Sequence, residues 1–185
     1  MPYFKYHPDP IRTGVFQTGQ TVACSCCGKE TDIWLKSEHI CPDCIHSGKA
    51  YDKFGADSNL NSVYDYNTDY REQYTGMIDE ANIEELLHRT PGYLCNQYPV
   101  WPVHCNDFCA YIMTVHEGNL IQMGILEEIK TYLRKEGAFD EGDYGTEMRL
   151  KNPEAYAESI LIGGCDRYLF RCLHCRKYLL RYDYD

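Results

Sequence analysis

The sequence predicts an α+β fold in which cysteine-bearing β-hairpins are combined with short helices. Three observations predict it: two C-x2-C pairs lie near the start of the chain, a third lies near its end, and apolar residues recur at helical spacing between them. With 185 residues, of which 44% are hydrophobic, the chain is long enough for one domain with a core or for two small lobes.

The first part of the chain predicts an N-terminal lobe over residues 1–54. Residues 1–20 contain Pro, Gly and Thr and are predicted to form an extended lead-in. Short strands are predicted at 22–24 and 31–35, which places the first cysteine pair at the tip of a hairpin. Apolar residues at turn-like intervals then predict a short helix over 45–54.

Residues 55–75 are predicted to be a polar loop or linker between two lobes. They are rich in Asp, Asn, Ser and Tyr and contain few aliphatic residues. The spaced tyrosines can instead form a contact surface. Residues 76–185 then form a second α+β lobe that a C-terminal cysteine knuckle closes, with a single compact domain over the whole chain as the alternative.

Three helices and two strands are predicted within the second lobe. The helices lie at 79–89, 124–135 and 152–160, where apolar residues line one face and Pro or Gly residues mark the ends. The strands lie at 167–171 and 177–182, on either side of the C-terminal cysteine pair.

The N-terminal cysteines have the spacing of a zinc ribbon. Cys24, Cys27, Cys41 and Cys44 form C-x2-C-x13-C-x2-C. Each C-x2-C turn can bring two sulfurs to one ion at about 2.3 Å, and two such turns complete a tetrahedron. Cys26 is a spare thiol that can replace Cys24 or Cys27 by a shift of one residue. The sequence therefore predicts a structural zinc site in this lobe.

Disulfide and redox interpretations of these cysteines fit less well. The chain has 11 cysteines, an odd number, and its first residues contain no apolar signal segment. A cytoplasmic location, where thiols stay reduced, is therefore expected, and no stretch is apolar enough to span a membrane. Redox C-x-x-C motifs usually occur singly at the start of a helix, not in two facing pairs.

A second metal site is predicted from Cys105, Cys109, Cys172 and Cys175. The C-x3-C interval of the first two fits one helical turn, so both sulfurs can face one ion. His104 is the alternate ligand, and burial of Cys105 and Cys109 as small apolar residues is the competing interpretation. Two zinc ions per chain are therefore expected.

The overall charge favours a basic protein partner over nucleic acid. Asp and Glu number 28 against 18 Lys and Arg, which gives a net charge of −10. A tetrathiolate zinc site adds a charge of about −2, so phosphate backbones and acidic lipids are repelled while basic surfaces are attracted.

An enzyme is the alternative to a binding module. The sequence has no HExxH, GxSxG or phosphate-loop motif and no H-x-E partner for a deaminase-type cysteine pair. The one candidate catalytic site comprises His104, Cys105, Asp107 and Cys109, which can form an open zinc site or a Cys–His nucleophile. The motif search therefore favours a protein without catalytic residues.

A third hypothesis is a zinc or redox sensor that uses the remaining thiols. Cys26, Cys95 and Cys165 have no obvious companions in the two predicted sites. Cys95 and Cys165 are otherwise predicted to be ordinary core or loop thiols. His174 is predicted to be an exposed turn residue.

Several motifs together resemble the CbrC family, in order and over nearly the whole chain. They are Tyr3-Phe-Lys-Tyr-His-Pro-Asp-Pro10, Cys27-Gly28-Lys29-Glu30, Cys41-Pro-x-Cys-Ile-x-x-Gly-x-Ala-x-x-Phe54, Arg89-Thr-Pro-Gly-Tyr93, Trp101-Pro-Val-His-Cys-x-Asp-x-Cys109 and Phe170-Arg-Cys-Leu-His-Cys-x-Lys-Tyr178.

The resemblance implies a bacterial protein linked to tolerance of a nuclease-type colicin, or an immunity protein that binds a basic nuclease toxin. It supplies no catalytic residues. The chain departs from the family pattern twice. Cys95-Asn96-Gln97 stands where a Trp-Gln is usual, and Arg176 stands where a glycine usually follows the last cysteine.

Overall fold

Two hydrophobic cores organise the part of the chain that the structure describes. The computed structural model describes residues 1–55, 74–96, 99–139 and 142–183. The first core is built from residues 4–50 and includes three cysteines. The second takes in Tyr6 and residues between 74 and 180. Helices and small antiparallel sheets surround both, which confirms the α+β prediction.

The N-terminal hairpin lies where the sequence predicts it, with longer strands. Strand β1 (Phe16–Ala23) pairs antiparallel with β2 (Glu30–Leu35), so β1 begins inside the predicted lead-in. The predicted single helix is divided into α1 (Pro42–His46) and α2 (Lys49–Phe54). The division occurs at Gly48, whose φ of 79° is left-handed and cannot continue a helix.

The three predicted helices of the second part are present. Asp79 caps the first helix by accepting a hydrogen bond from the Ala81 amide at 2.8 Å, and Asn152 caps the last by accepting from the Ala155 amide at 3.1 Å. Two further helices, Glu117–Gln122 and Gly142–Lys151, have no counterpart in the sequence prediction. The helices are α3 (Glu80–Arg89), α4 (Glu117–Gln122), α5 (Leu126–Lys135), α6 (Gly142–Lys151) and α7 (Pro153–Ile162).

The second core lies against a three-stranded antiparallel sheet. Strands β3 (Val103–His104) and β4 (Asp107–Phe108) form a small hairpin that leads directly into the sheet. The sheet has the order β5–β6–β7, with β5 (Ala110–Thr114), β6 (Asp166–Arg171) and β7 (Tyr178–Asp183). The last two confirm the predicted C-terminal strands.

The predicted linker at 55–75 lies almost wholly outside the described residues. Only residues 55, 74 and 75 of that segment are described. None of the helices within the described ranges has the length and apolar content that a bilayer crossing requires.

The N-terminal segment packs into both cores. Phe4 is fully buried in the first core and Tyr6 in the second. His7 is also fully buried, with Nδ1 at 3.0 Å from the Pro91 carbonyl oxygen and Nε2 at 2.7 Å from Thr13 Oγ1. Because Nδ1 faces a carbonyl it carries the proton, and the neutral ring anchors this segment to the second core.

The stability of the chain is expected to fall between pH 6.5 and 4 because of His7. Burial lowers the pKa of His7 to about 4, although the carbonyl oxygens of Pro91 and Gly92 partly oppose the shift. In the unfolded chain the His7 imidazole binds a proton below about pH 6.5. Between pH 6.5 and 4 the unfolded chain therefore holds more protons than the folded chain. The free energy of unfolding should therefore decrease by up to about 3 kcal/mol as the pH falls to 4.

Urea unfolding of the wild type and a His7→Asn variant at several pH values checks this. The variant should be less stable at pH 7, and its pH profile should be flatter. Metal loss in acid affects both proteins, so their difference isolates the histidine. Parallel profiles would show that His7 does not control the acid response.

Candidate metal centres

The two C-x2-C hairpin tips have the same backbone geometry. In the first, the Cys24 amide donates to the Lys29 carbonyl at 2.8 Å. In the second, the Cys172 amide donates to the Lys177 carbonyl, also at 2.8 Å. The residue after the second cysteine has a left-handed φ in both, +74° at Gly28 and +68° at Arg176. The C-terminal tip therefore keeps the knuckle conformation without the usual glycine.

Arg176→Gly is expected to stabilise the chain by about 0.5–1 kcal/mol. A left-handed conformation costs a non-glycine residue about 1–2 kcal/mol, and the greater freedom of glycine in the unfolded chain offsets part of the gain. The matched variant is Gly28→Arg, which should destabilise by a similar amount, since nothing lies within 4 Å of the position of its Cβ. Chemical denaturation of both variants checks the pair. An Arg176→Gly protein no more stable than the wild type would contradict it.

The first cluster brings together the four predicted N-terminal cysteines. The sulfurs of Cys24, Cys27, Cys41 and Cys44 all lie within 4.8 Å of one another. Cys24 and Cys44 are 4.0 Å apart at Sγ, as are Cys27 and Cys41. A tetrahedron with metal–sulfur bonds of about 2.3 Å has edges of about 3.8 Å, whereas a disulfide is about 2.05 Å long. The four free thiols therefore fit a tetrahedral ion.

Burial and backbone amides set the electrostatics of this cluster. Burial alone would raise the pKa of the Cys24 thiol, but the backbone amides of Cys41, Cys27 and Cys26 outweigh it and lower the pKa to about 7. Burial raises the pKa of Cys41 to about 11 and that of Cys44 further. Four thiolates therefore share this space only when a cation neutralises them.

Helix α2 supports the first hairpin tip from outside. Lys53 Nζ donates to the backbone carbonyls of Ser25 at 3.0 Å and Cys26 at 2.9 Å. Its ammonium group therefore ties the hairpin tip that carries Cys24 and Cys27 to α2. The spare thiol of Cys26 is not one of the four grouped sulfurs and packs, half-buried, against the first core.

The second cluster consists of His104, Cys105, Cys172 and Cys175. Their ligand atoms also lie within 4.8 Å of one another. His104 Nδ1 lies 3.2 Å from Cys105 Sγ and 3.4 Å from Cys175 Sγ. Burial alone would raise the pKa of Cys172, but the backbone amides of Cys175 and His174 lower it to about 6. The site offers three sulfurs and one imidazole nitrogen.

Cys109, predicted as a ligand of this site, is not in the group, and His104 stands in its place. The sequence spacing predicts a helical turn at 105–109, whereas the structure has the β3–β4 hairpin there. Cys105 and Asn106 form its two-residue turn with φ of 55° and 57°, so Cys105 is exposed at the tip. Cys109 follows β4, is fully buried, and packs in the second core.

Asp107 is not one of the grouped ligands of the second cluster, but its carboxylate contacts His174, which lies between the ligands Cys172 and Cys175. Its Oδ1 accepts from the Tyr6 hydroxyl at 2.7 Å and the Phe108 amide at 2.9 Å. Its Oδ2 lies 2.9 Å from Lys5 Nζ and 3.1 Å from His174 Nε2. Burial alone would raise the pKa of this carboxyl, but the hydrogen bonds with Tyr6, Lys5 and His174 outweigh it and hold the pKa below its usual range.

The contacts of Asp107 with Lys5, Tyr6 and His174 could not be predicted from the sequence. The aspartate lies about a hundred residues from Lys5 and Tyr6, and no local pattern predicts such contacts. His174, predicted to be an exposed turn residue, is indeed over half exposed while its Nε2 contacts Asp107. Cys95 and Cys165 lie outside both groups.

Comparison with known proteins finds one family model that matches almost the whole chain. The family model described as "Uncharacterised protein family (UPF0167)" matches residues 1–184. UPF0167 protein PA1536 of Pseudomonas aeruginosa is 28% identical over 199 residues, which cover 100% of this chain and 97% of the relative. UPF0167 proteins Mb2317 of Mycobacterium bovis and MT2352 of Mycobacterium tuberculosis are each 28% identical over 194 residues, covering 100% of this chain and 94% of theirs. No solved structure is a significant match.

Proposed function

This chain belongs to the UPF0167 family, and we propose that it is a zinc-stabilised module that acts by binding another protein. The main support is the number of donors in each cluster. Each offers four protein ligand atoms within 4.8 Å of one another. Structural zinc is held by four protein ligands, whereas catalytic zinc keeps one position for water or substrate.

Zinc is the metal that we propose for both clusters, giving two ions per chain. The donors are four sulfurs in one cluster and three sulfurs with one imidazole nitrogen in the other. Soft thiolate and imidazole donors in a tetrahedral arrangement favour zinc over the hard cations. Zinc-ribbon geometry in the N-terminal part is proposed on the same grounds.

The surroundings of the second cluster support a non-catalytic role. Asp107 is the acidic side chain that an enzyme would need as a base, and all its oxygens accept hydrogen bonds from protein groups. Cys109, the other member of the alternative catalytic site, lies in the core. Of the four residues in the enzyme hypothesis this leaves His104 and Cys105, and both belong to the group of four ligand atoms that can surround one metal ion.

A basic protein is the partner that we propose. The net charge of −10 favours such a surface, and the acidic excess lies beyond residue 55, because residues 1–55 hold equal numbers of acidic and basic side chains. The resemblance to the CbrC family makes a nuclease-type toxin the first candidate. In this hypothesis the chain confers tolerance or immunity by covering a surface built for phosphate.

Cobalt substitution tests the structural role of the metals. Two equivalents of Co(II) should give tetrahedral, sulfur-rich spectra that do not change when azide or thiocyanate is added, because no coordination position is open. A spectrum that shifts with these anions at one site would support the zinc-enzyme alternative.

Binding to purified nuclease-domain toxins tests the partner. Association should be fast at low salt and slow markedly as salt rises, as expected for charge-steered encounters. Binding that is insensitive to salt, or absent across a panel of toxins, would contradict the proposed partner without affecting the metal sites.

A further inference from the structure

We propose that Cys105 and Cys175 form a peroxide-reactive pair whose oxidation releases the second zinc ion while the first is retained. The inference rests on the proposed function, because it requires both clusters to hold zinc. It assigns different roles to two sites that otherwise share the same knuckle geometry.

The two clusters differ in how many ligands reach the surface. In the first, Cys24, Cys41 and Cys44 are buried and Cys27 alone is exposed. In the second, Cys105 and Cys175 are both exposed, and Cys172 is the buried cysteine. A zinc-bound thiolate reacts with dissolved oxidants only where they can reach its sulfur. The second cluster therefore presents two reactive sulfurs and the first presents one.

The two exposed sulfurs are also close enough to combine. Both flank the same nitrogen, with His104 Nδ1 at 3.2 Å from Cys105 Sγ and 3.4 Å from Cys175 Sγ, and all ligand atoms lie within 4.8 Å. Cys105 lies in a two-residue turn between strands of only two residues each, so few backbone hydrogen bonds hold it. To form a disulfide, the sulfurs of Cys105 and Cys175 need to approach from within 4.8 Å to about 2.05 Å.

The reaction consumes one hydrogen peroxide and two thiolates. One thiolate attacks a peroxide oxygen and breaks the O–O bond, giving a sulfenic acid and hydroxide. The second thiolate attacks the sulfenic sulfur, the S–S bond forms, and the sulfenic oxygen leaves as hydroxide. The sulfurs lose two electrons, the peroxide gains two, and solvent protons convert both hydroxides to water. Only His104 and Cys172 then remain as ligands, too few to hold zinc.

The first cluster provides an internal control. Oxidation of Cys27 gives a sulfenic acid whose partners within the cluster are all buried. The nearest recorded partner is Cys41, whose sulfur lies 4.0 Å from that of Cys27, and bringing the two to disulfide distance displaces a side chain packed in the first core. The first zinc ion should therefore leave more slowly than the second, by about tenfold or more.

The experiment exposes the full chain with two bound zinc ions to hydrogen peroxide. Zinc release is followed with a chromogenic chelator, native mass spectrometry counts the remaining ions, and peptide mapping locates the disulfide. We expect release of one ion per chain, a disulfide between Cys105 and Cys175, and recovery of the second ion after treatment with a thiol and zinc.

Matched variants separate this chemistry from general damage. Cys175→His keeps four ligands at the second site but removes one reactive sulfur, and it should slow peroxide-induced zinc release at least about tenfold. Cys26→Ser removes a half-buried thiol that lies outside both groups of ligands, and it should leave release from the second cluster unchanged. If Cys175→His fails to hold zinc, mapping of the disulfide in the oxidised wild type still shows whether Cys105 and Cys175 are joined.

Three results would overturn the inference. Equal release from both clusters, a disulfide that includes Cys26 or Cys27 instead, or retention of both ions under peroxide each contradicts it while leaving two zinc-stabilised sites in place. A chain that purifies folded without zinc removes the proposed function and this inference together.

Discussion

Cys24→Ser is expected to empty the first cluster and to unfold the residues around it. Structural zinc contributes an apparent free energy of about 10–16 kcal/mol in small zinc modules, as much as the whole stability of a typical domain. The first core is small, and Cys24, Cys41 and Cys44 are themselves part of it. Without the ion, seven apolar side chains and the pairing of β1 with β2 are left to hold the hairpin and the short helices together.

The matched control for this variant is Cys26→Ser, two residues away in the same hairpin. Cys26 is half-buried and lies outside the four grouped sulfurs. Native mass spectrometry should find one zinc ion in Cys24→Ser and two in Cys26→Ser, and hydrogen exchange should show loss of protection in residues 16–54 of the first variant only. Equal behaviour of the two variants would mean that Cys24 is not a ligand.

Asp107→Ala is expected to cost about 3 kcal/mol of folding free energy. The carboxylate is 95% buried at its side chain and accepts hydrogen bonds or an ion pair from Lys5, Tyr6, Phe108 and His174. Removing one partner of a buried ion pair costs about 3–5 kcal/mol, and the lower figure applies because Lys5 is one-third exposed. The N-terminal segment should also become more mobile, since two of the four donors belong to it.

Urea unfolding and hydrogen exchange of Asp107→Ala measure both effects. Asp9→Ala is the control, because Asp9 pairs with Arg12 at 2.7 Å but both side chains are about half exposed, so the loss should stay below about 1 kcal/mol. The account of Asp107 fails if the two variants are destabilised equally, or if residues 3–7 exchange as slowly in Asp107→Ala as in the wild type.

The first cluster could be predicted from sequence because its geometry is local. All four sulfurs come from residues 24–44, and the C-x2-C interval fixes the shape of each tip. The second cluster depends on strand pairing. Ala110 lies opposite Arg171 in the sheet, which brings the β3–β4 hairpin beside the C-terminal knuckle. No single segment of the sequence determines the pairing register of strands that lie so far apart in the chain.

The fourth ligand of the second cluster could not be predicted for a different reason. An interval of four residues suits a helical turn and also the two sides of a tight hairpin. Asn106 and Asp107 are turn-forming residues, and this signal pointed to the hairpin. In a hairpin, Cys105 reaches the tip while Cys109 returns to the core, so His104 is left as the nearest donor.

The two missed helices have a local explanation. Helix α4 is six residues long and α6 contains two glycines, Gly142 and Gly145, so neither shows a clear apolar stripe. The tertiary contacts of α6 with α7 stabilise it in spite of its composition. Tertiary structure also decides the conformation of Arg176. The knuckle holds this residue in a left-handed conformation that residues other than glycine disfavour.

Native mass spectrometry of the purified chain tests most directly whether two closed metal sites brace this fold. We expect the mass of the folded protein to exceed that of the denatured chain by two zinc ions less two protons for each ion, because at a given charge every Zn²⁺ takes the place of two protons. A folded chain that carries no metal, or whose cysteines are joined as disulfides, would contradict the account.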